Sequence, residues 1–294
     1  MSSKLAVPEQ EFALLPEIAE SLGLTGPDPH RVQRRWVTVV SGGHVSGITW
    51  DTGPAEIVLL HEARRSARSW DRLLLALGRP ALALDLPGHG RSGWRGNGVY
   101  SPRRLAPAVS EAIRSFAPAS KVVAGAGLGA LTAIALTARS PDLVRALVLL
   151  DTLPGTPGEP GVAPGRHASR EEALDRLRET RPDAAEEDLV ADVRYETVEE
   201  PDGTWTWRHH LGNLPAEAAA HLGDETLWEQ LEVLSGYEVP ILLVRPATGG
   251  RVSDAAAGEL LRRAPSARLV TATGPAEQAA VLRETLDTIQ GRTA

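Results

Sequence analysis

The sequence predicts an α/β fold: a doubly wound, mostly parallel eight-stranded sheet carrying a helical cap. Three observations support this. First, apolar runs at 57–60, 81–84, 122–124, 146–150, 241–244 and 269–270 each end at a polar or turn residue. Runs that are apolar throughout, rather than alternating, mark parallel strands buried on both faces. Second, helical patterns at 70–77, 103–116, 128–138, 255–263 and 277–289 alternate with these runs. Third, the alternation stops between Asp151 and Val239, where an insertion would cover the sheet.

Taken in order, residues 8–23 space Phe12, Leu15, Ile18 and Leu22 at helical intervals, predicting an amphipathic helix. A Gly/Pro-rich break at 24–30 follows. Strands at 36–40 and 45–50, joined at Gly42-Gly43, read as a hairpin and bring the strand count to eight. Within the insertion, 154–168 is Pro/Gly-rich and loop-like, and 169–193 reads as charged helices with Ser169 as N-cap. The stretch DGTWTWRHH at 202–210 then sets two Trp and two His close together. The expected organisation is an N-terminal extension (1–34), a core (35–153 and 236–294) and a cap (154–235).

Composition narrows the function. The 294 residues are 42% hydrophobic and 23% charged, with a formal net charge of -7, which argues against nucleic-acid or anionic-membrane partners. Cysteine is absent, which removes disulfides, thiolate catalysis and Cys-based metal sites. No apolar run approaches the roughly 18 residues of a membrane span. The first residues lack a basic region followed by an apolar core, so no secretory signal is expected and the location is expected to be cytoplasmic. The oligomeric state is left open. Gly125, Gly127 and Gly129 are spaced G-x-G-x-G rather than as a dinucleotide fingerprint. His209-His210 lacks the i, i+4 spacing of helical metal ligands. Neither cofactor nor metal is expected.

Chemistry concentrates at VAGAGLGA (123–130): a strand, a tight turn and a helix of small residues, the pattern of a nucleophile elbow. Its central position, where a reactive side chain would project, is Gly127. LLHEARRSARSWD (59–71), DLPGHGRSGW (85–94), VPILLVRPATGG (239–250) and ARLVTATGPAEQ (267–278) flank it in order. With these five motifs the chain resembles the α/β-hydrolase family over nearly its whole length. The resemblance implies a Ser-His-Asp triad. By register its nucleophile falls on Gly127, its acid near Thr248 and its His on or near Glu277, while no His follows His221. It also implies a Gly after His61, where this chain has Glu62.

The candidate catalytic groups are Glu62, Glu277 and Asp151. Glu62 is either a general base or the partner of Arg64, Arg65 or Arg68. Glu277 is either a second pocket carboxylate or an acid suiting a helix N-terminus. Asp151 is either a pocket acid or a backbone-capping acid. Ligand-binding candidates are His61, Arg64, Trp94, the elbow residues Ala126, Gly127 and Leu128, and the cap residues Trp205, Trp207, His209 and His210. His61 reads more readily as a holder of its loop, and Asp85 and His89 as shapers of their turn. The cap aromatics would either clamp an aromatic or polycyclic ligand or pack the cap.

Three functions compete. The expected one is a non-hydrolytic, cofactor-independent enzyme. It would use acid/base groups for addition, C–C bond formation, cyclisation or isomerisation of a small aromatic or polycyclic metabolite in natural-product biosynthesis. A catalytically silent pseudo-hydrolase binding a small ligand or a protein is the alternative. A hydrolase with a relocated nucleophile, Glu62 or Asp151, is the third.

Overall fold

A computed structural model describes residues 11–25, 31–41, 43–158, 165–182, 184–214, 224–237 and 239–291. Gly42 of the expected hairpin turn, and parts of the expected loops at 24–30 and 154–168, lie outside these. The strands are β1 (Val32–Val39), β2 (Gly43–Trp50), β3 (Ile57–Leu60), β4 (Ala81–Asp85), β5 (Val122–Ala126), β6 (Ala146–Leu150), β7 (Thr197–Glu199), β8 (Trp205–Trp207), β9 (Ile241–Arg245) and β10 (Arg268–Thr271). Eight of them form one sheet in the order β1-β2-β4-β3-β5-β6-β9-β10. The β1–β2 and β2–β4 pairings are antiparallel and the rest parallel.

The helices are α1 (Leu15–Ser21), α2 (Asp71–Leu77), α3 (Pro102–Phe116), α4 (Leu128–Arg139), α5 (Arg170–Thr180), α6 (Glu186–Glu196), α7 (Leu227–Gly236), α8 (Asp254–Arg263) and α9 (Gly274–Gly291). Each central strand divides its side chains between two cores. Val58, Leu60, Leu82, Leu147 and Leu243 face the core formed with α3, α4, α7 and α8. Ile57, Leu59, Ala83, Val148 and Val244 face the one formed with α1, α2 and α9. Strands covered on both sides have no solvent face, which is why they read as uninterrupted apolar runs.

The N-terminal helix is shorter than its apolar spacing predicts. Pro16 is accommodated in its first turn, where no N–H is needed, so the helix begins at Leu15. In the insertion, Ser169 caps α5 by accepting from the Glu172 amide at 3.2 Å. Strands β7 and β8 form a hairpin that the hydrophobic pattern does not announce. Its turn contains Asp202-Gly203, with Gly203 at φ 80. Ala173, Leu174, Leu177, Leu189, Val193 and Trp207 give α5, α6 and this hairpin a small core of their own. Among the described residues, no helix is long and apolar enough to cross a membrane.

Candidate functional site

Strand β3 pairs with β4 on one side and β5 on the other, so the chain reverses its direction of travel across the sheet between β3 and β5. The loops leaving their carboxyl ends diverge there, opening the crevice where α/β folds place ligands. The loop after β3 carries His61 and Glu62, and β5 ends at Ala126 before Gly127. Gly127 has φ 48 and ψ -122 and opens α4, whose small residues allow close approach to β3. A Cβ built on Gly129 would collide with the Leu60 backbone, so helix and strand touch there.

Glu62 occupies the space above Gly127. A Cβ on Gly127 would lie closer than 3.0 Å to all three atoms of the Glu62 carboxylate. Glu62 is 7% exposed. Its Oε1 accepts from the amides of Ala63 at 3.1 Å and Leu128 at 3.3 Å. Oε2 pairs with Arg251 Nη1 at 2.7 Å. The sequence reading placed the ion-pair partner among Arg64, Arg65 and Arg68. Instead Arg65 pairs with Asp192 and Arg68 with Asp71, while Glu62 takes Arg251 from the loop after β9. Arg251 escapes sequence reasoning because the family's register implies an acid in this loop. Yet the charged side chains of 245–253 are Arg245 and Arg251, the complement of a carboxylate added after His61.

Asp151 contributes indirectly. Its carboxylate accepts from the amides of Arg251 at 2.7 Å and Val252 at 3.1 Å, fixing the turn that presents the guanidinium. Both oxygens are thus engaged with backbone, the capping alternative. Thr152 also escaped sequence reasoning. Its hydroxyl accepts from the Gly127 amide at 2.8 Å and donates to Leu150 O at 2.9 Å. The elbow amides of Gly127 and Leu128, expected to meet a ligand, are therefore satisfied within the chain.

His61 holds its loop, the favoured of its two readings. Its Nε2 accepts from the Leu86 amide at 2.9 Å, so Nδ1 carries the proton and donates to Glu62 O at 2.7 Å. Burial lowers its pKa and keeps it neutral. Asp85 is buried too. Burial alone would raise its pKa, but Arg34 at 2.6 Å and the amides of Ala67 and Arg91 hold it below the usual range. This anchors the turn, as expected. His89 Nδ1 lies 3.2 Å from Pro87 O, and burial followed by the nearby His61 pushes its pKa down to about 3. Arg64, at φ 65, lies close enough to depress His89 and His209 further.

The cap residues mostly pack. Trp207 is buried in the cap core, stacked 5.8 Å from His209, whose Nδ1 accepts from the Gly212 amide at 2.9 Å. Burial drives the His209 pKa well down. Trp205 lies 4.0 Å beneath the Arg170 guanidinium. His210 stacks on half-exposed Trp94 at 4.5 Å and meets Tyr100 Oη at 2.7 Å, while its amide donates to Gly88 O. These contacts fasten the cap to the turn after β4, the packing alternative of the two. Glu277 is exposed in the first turn of α9 and accepts from the Thr273 amide at 2.6 Å. This is the helix N-terminus alternative of its two readings. No group of three His, Cys, Asp or Glu suited to a metal occurs among the described residues.

The sequence profile of the alpha/beta hydrolase family matches residues 57–279. The chain is 35% identical over 298 aligned residues to esterase Rv0045c of Mycobacterium tuberculosis, covering 96% of this chain and 95% of that protein. It aligns with a solved structure of that M. tuberculosis esterase at TM-score 0.79 and 32% identity, over 96% of this chain and 100% of the other. A crystal structure of E-2-(acetamidomethylene)succinate hydrolase aligns at TM-score 0.69 and 19% identity, over 88% and 98%, a likeness of fold alone. An esterase so similar along its full length overturns two expectations from sequence. One is the non-hydrolytic cyclase, lyase or isomerase of natural-product biosynthesis, and the other is the silent pseudo-hydrolase.

Proposed function

The chain belongs to the alpha/beta hydrolase family, and on that footing we propose that it hydrolyses small carboxylic esters with Glu62 as the group that activates water. We read the family's Ser-His-Asp set as missing. Gly127 has no side chain, Thr248 stands at the acid's register and no His follows His221. The observation that carries the reading is the Glu62 carboxylate held above Gly127 by two amides and Arg251.

In this scheme a water beside Glu62 attacks the ester carbonyl carbon and passes a proton to the carboxylate. The carbonyl π electrons move onto oxygen, and Arg251, which presents further N–H groups, stabilises that charge. Collapse breaks the acyl–oxygen bond, and the alkoxide recovers the proton from Glu62. Buried Glu62 and part-exposed Arg251 divide the labour between proton transfer and charge stabilisation. Among the described residues, α5, α6 and the β7–β8 hairpin act as the cap over this site, while α7, which the expected boundaries put in the cap, packs into the core beside α4.

The test is turnover of a p-nitrophenyl ester panel. The wild type should exceed heat-denatured protein, and Glu62→Gln should lower turnover by ~10²–10⁴-fold. Fluorophosphonates should label neither, because no activated hydroxyl stands at the elbow. Full activity in well-folded Glu62→Gln protein, or robust fluorophosphonate labelling, would remove Glu62 from this role.

A further inference from the structure

We propose that the cavity between α1, the start of α2 and α6 binds a linear aliphatic diamine, with one ammonium at its buried end and the other at its rim. None of Glu62, Gly127 and Arg251 lines it, so the site does not rest on the hydrolytic reading.

The cavity holds about 400 Å³, and seven carboxyl groups line it against four guanidinium groups. Its buried end carries Asp71 and Glu196, each only 3% exposed. Arg68 Nη2 lies 2.6 Å from Asp71 Oδ2, but Asp71 Oδ1 and Glu196 Oε2 have no hydrogen-bond partner among the described residues. Arg68 is committed elsewhere. Its guanidinium lies over the Phe12 and Tyr195 rings at 5.1 and 4.5 Å and donates to Glu11 O and Tyr195 Oη. A buried acceptor left without a donor is costly, and an ammonium group brings three donors together with a positive charge.

The surrounding charges leave room for that cation. Around Asp71 stand Arg68, Arg34 and Glu11, and around Glu196 stand Asp192, Asp85 and Arg208. Burial outweighs them, lifting Asp71 to about 7 and Glu196 to about 8, so a cation reaching either carboxyl displaces a proton from it. Half-buried Leu14 and Ile18 from α1 and Val190 and Ala191 from α6 supply apolar wall, suited to methylene groups. The rim is exposed and acidic. Glu187 is 3.3 Å from Arg72, while Glu17 and Asp188 have no ion-pair partner among the described residues. Buried acid, apolar wall and exposed acid match ammonium, methylene chain and ammonium, and the same carboxylates repel an anion.

The probes are cadaverine and n-pentylamine, the same chain with one charge, titrated calorimetrically at pH 8 and constant ionic strength. Cadaverine should bind one to one, ~2–5-fold more tightly than n-pentylamine. Glu196→Gln and Asp71→Asn should each weaken it by ~10–100-fold, and Glu17→Gln/Asp188→Asn by ~2–5-fold. Near-UV circular dichroism checks each fold, and the exposed rim pair decides the matter if a buried variant fails to fold. Titrations in two buffers of different ionisation enthalpy should show protons released on binding, which contact with exposed, already ionised acids would not give. Glu62→Gln should bind cadaverine as the wild type does. Absence of one-to-one binding, binding without proton release, or loss of binding in Glu62→Gln would overturn the site.

Discussion

Gly127 and Glu62 compete for one volume, and the Gly127→Ser substitution tests this directly. Residue 127 sits at φ 48, a conformation that costs a non-glycine residue about 1–2 kcal/mol. The new Cβ would also fall inside the Glu62 carboxylate, so that side chain must leave. Leaving breaks its pair with Arg251 and its two amide bonds. Breaking a buried pair costs about 3–5 kcal/mol, and partial exposure of Arg251 places this one near about 3 kcal/mol. The single variant should therefore lose about 4–5 kcal/mol, a large share of the about 5–15 kcal/mol typical of a folded domain. If Glu62 is first changed to Gly, the pair is already lost and Gly127→Ser should cost only the backbone strain. Urea denaturation of wild type, both single variants and the double variant measures the coupling, expected near about 3 kcal/mol in the sense that the double is more stable than the sum implies. Additivity within about 0.5 kcal/mol would show that Glu62 does not occupy this space.

Two further outcomes follow from other contacts. Burial raises the Glu196 carboxyl to about 8 against the opposing Ser66 hydrogen bond, so the folded chain keeps a proton that the unfolded chain has released. Stability from this group is complete below the unfolded value near pH 4.5 and falls as pH rises through about 8. Urea midpoints at pH 5, 7 and 9 should decline less steeply in Glu196→Gln than in wild type, and parallel curves would contradict the argument. Asp151→Ala releases the amides of Arg251 and Val252, so Arg251 should meet Glu62 less often and ester turnover should fall by roughly 10–100-fold. Asp151→Asn, which retains one acceptor, should recover part of it; equal rates in all three proteins would leave Asp151 a purely structural role.

The architecture was legible because its signals are local. Residues 57–60, 146–150 and 241–244 are apolar throughout since they must be, lying between two cores. Ser169 could be read as an N-cap from its position before a charged helix. Pro16 shows the limit: helical spacing runs from Phe12 to Leu22, but a residue without an amide proton fixes where hydrogen bonding can start. The cap aromatics left two readings open for a different reason. DGTWTWRHH fits a ligand clamp or cap packing when met alone, and only the partners Trp94, Tyr100 and Gly212 show the His209 and His210 rings engaged within the chain.

The sequence by itself determined that position 127 lacks a side chain, that an acid follows His61 and that the fold is a doubly wound α/β sheet. The family resemblance implied that these positions meet at adjoining strand ends, which chain order alone does not, since β3 pairs with both β4 and β5. Only the tertiary structure decided what Glu62 does there. Its ion-pair partner lies at position 251, brought in by the loop after β9 and held by Asp151, and no local periodicity records a contact across so many intervening residues. Glu277 makes the same point in reverse: the family's register led to it, but a four-residue reach back to the Thr273 amide keeps it at the start of its helix. Local patterns fix elements because backbone hydrogen bonds and side-chain periodicity act within a few residues. A site is fixed by which loops the sheet brings side by side, and by which of their charges find each other once water is excluded.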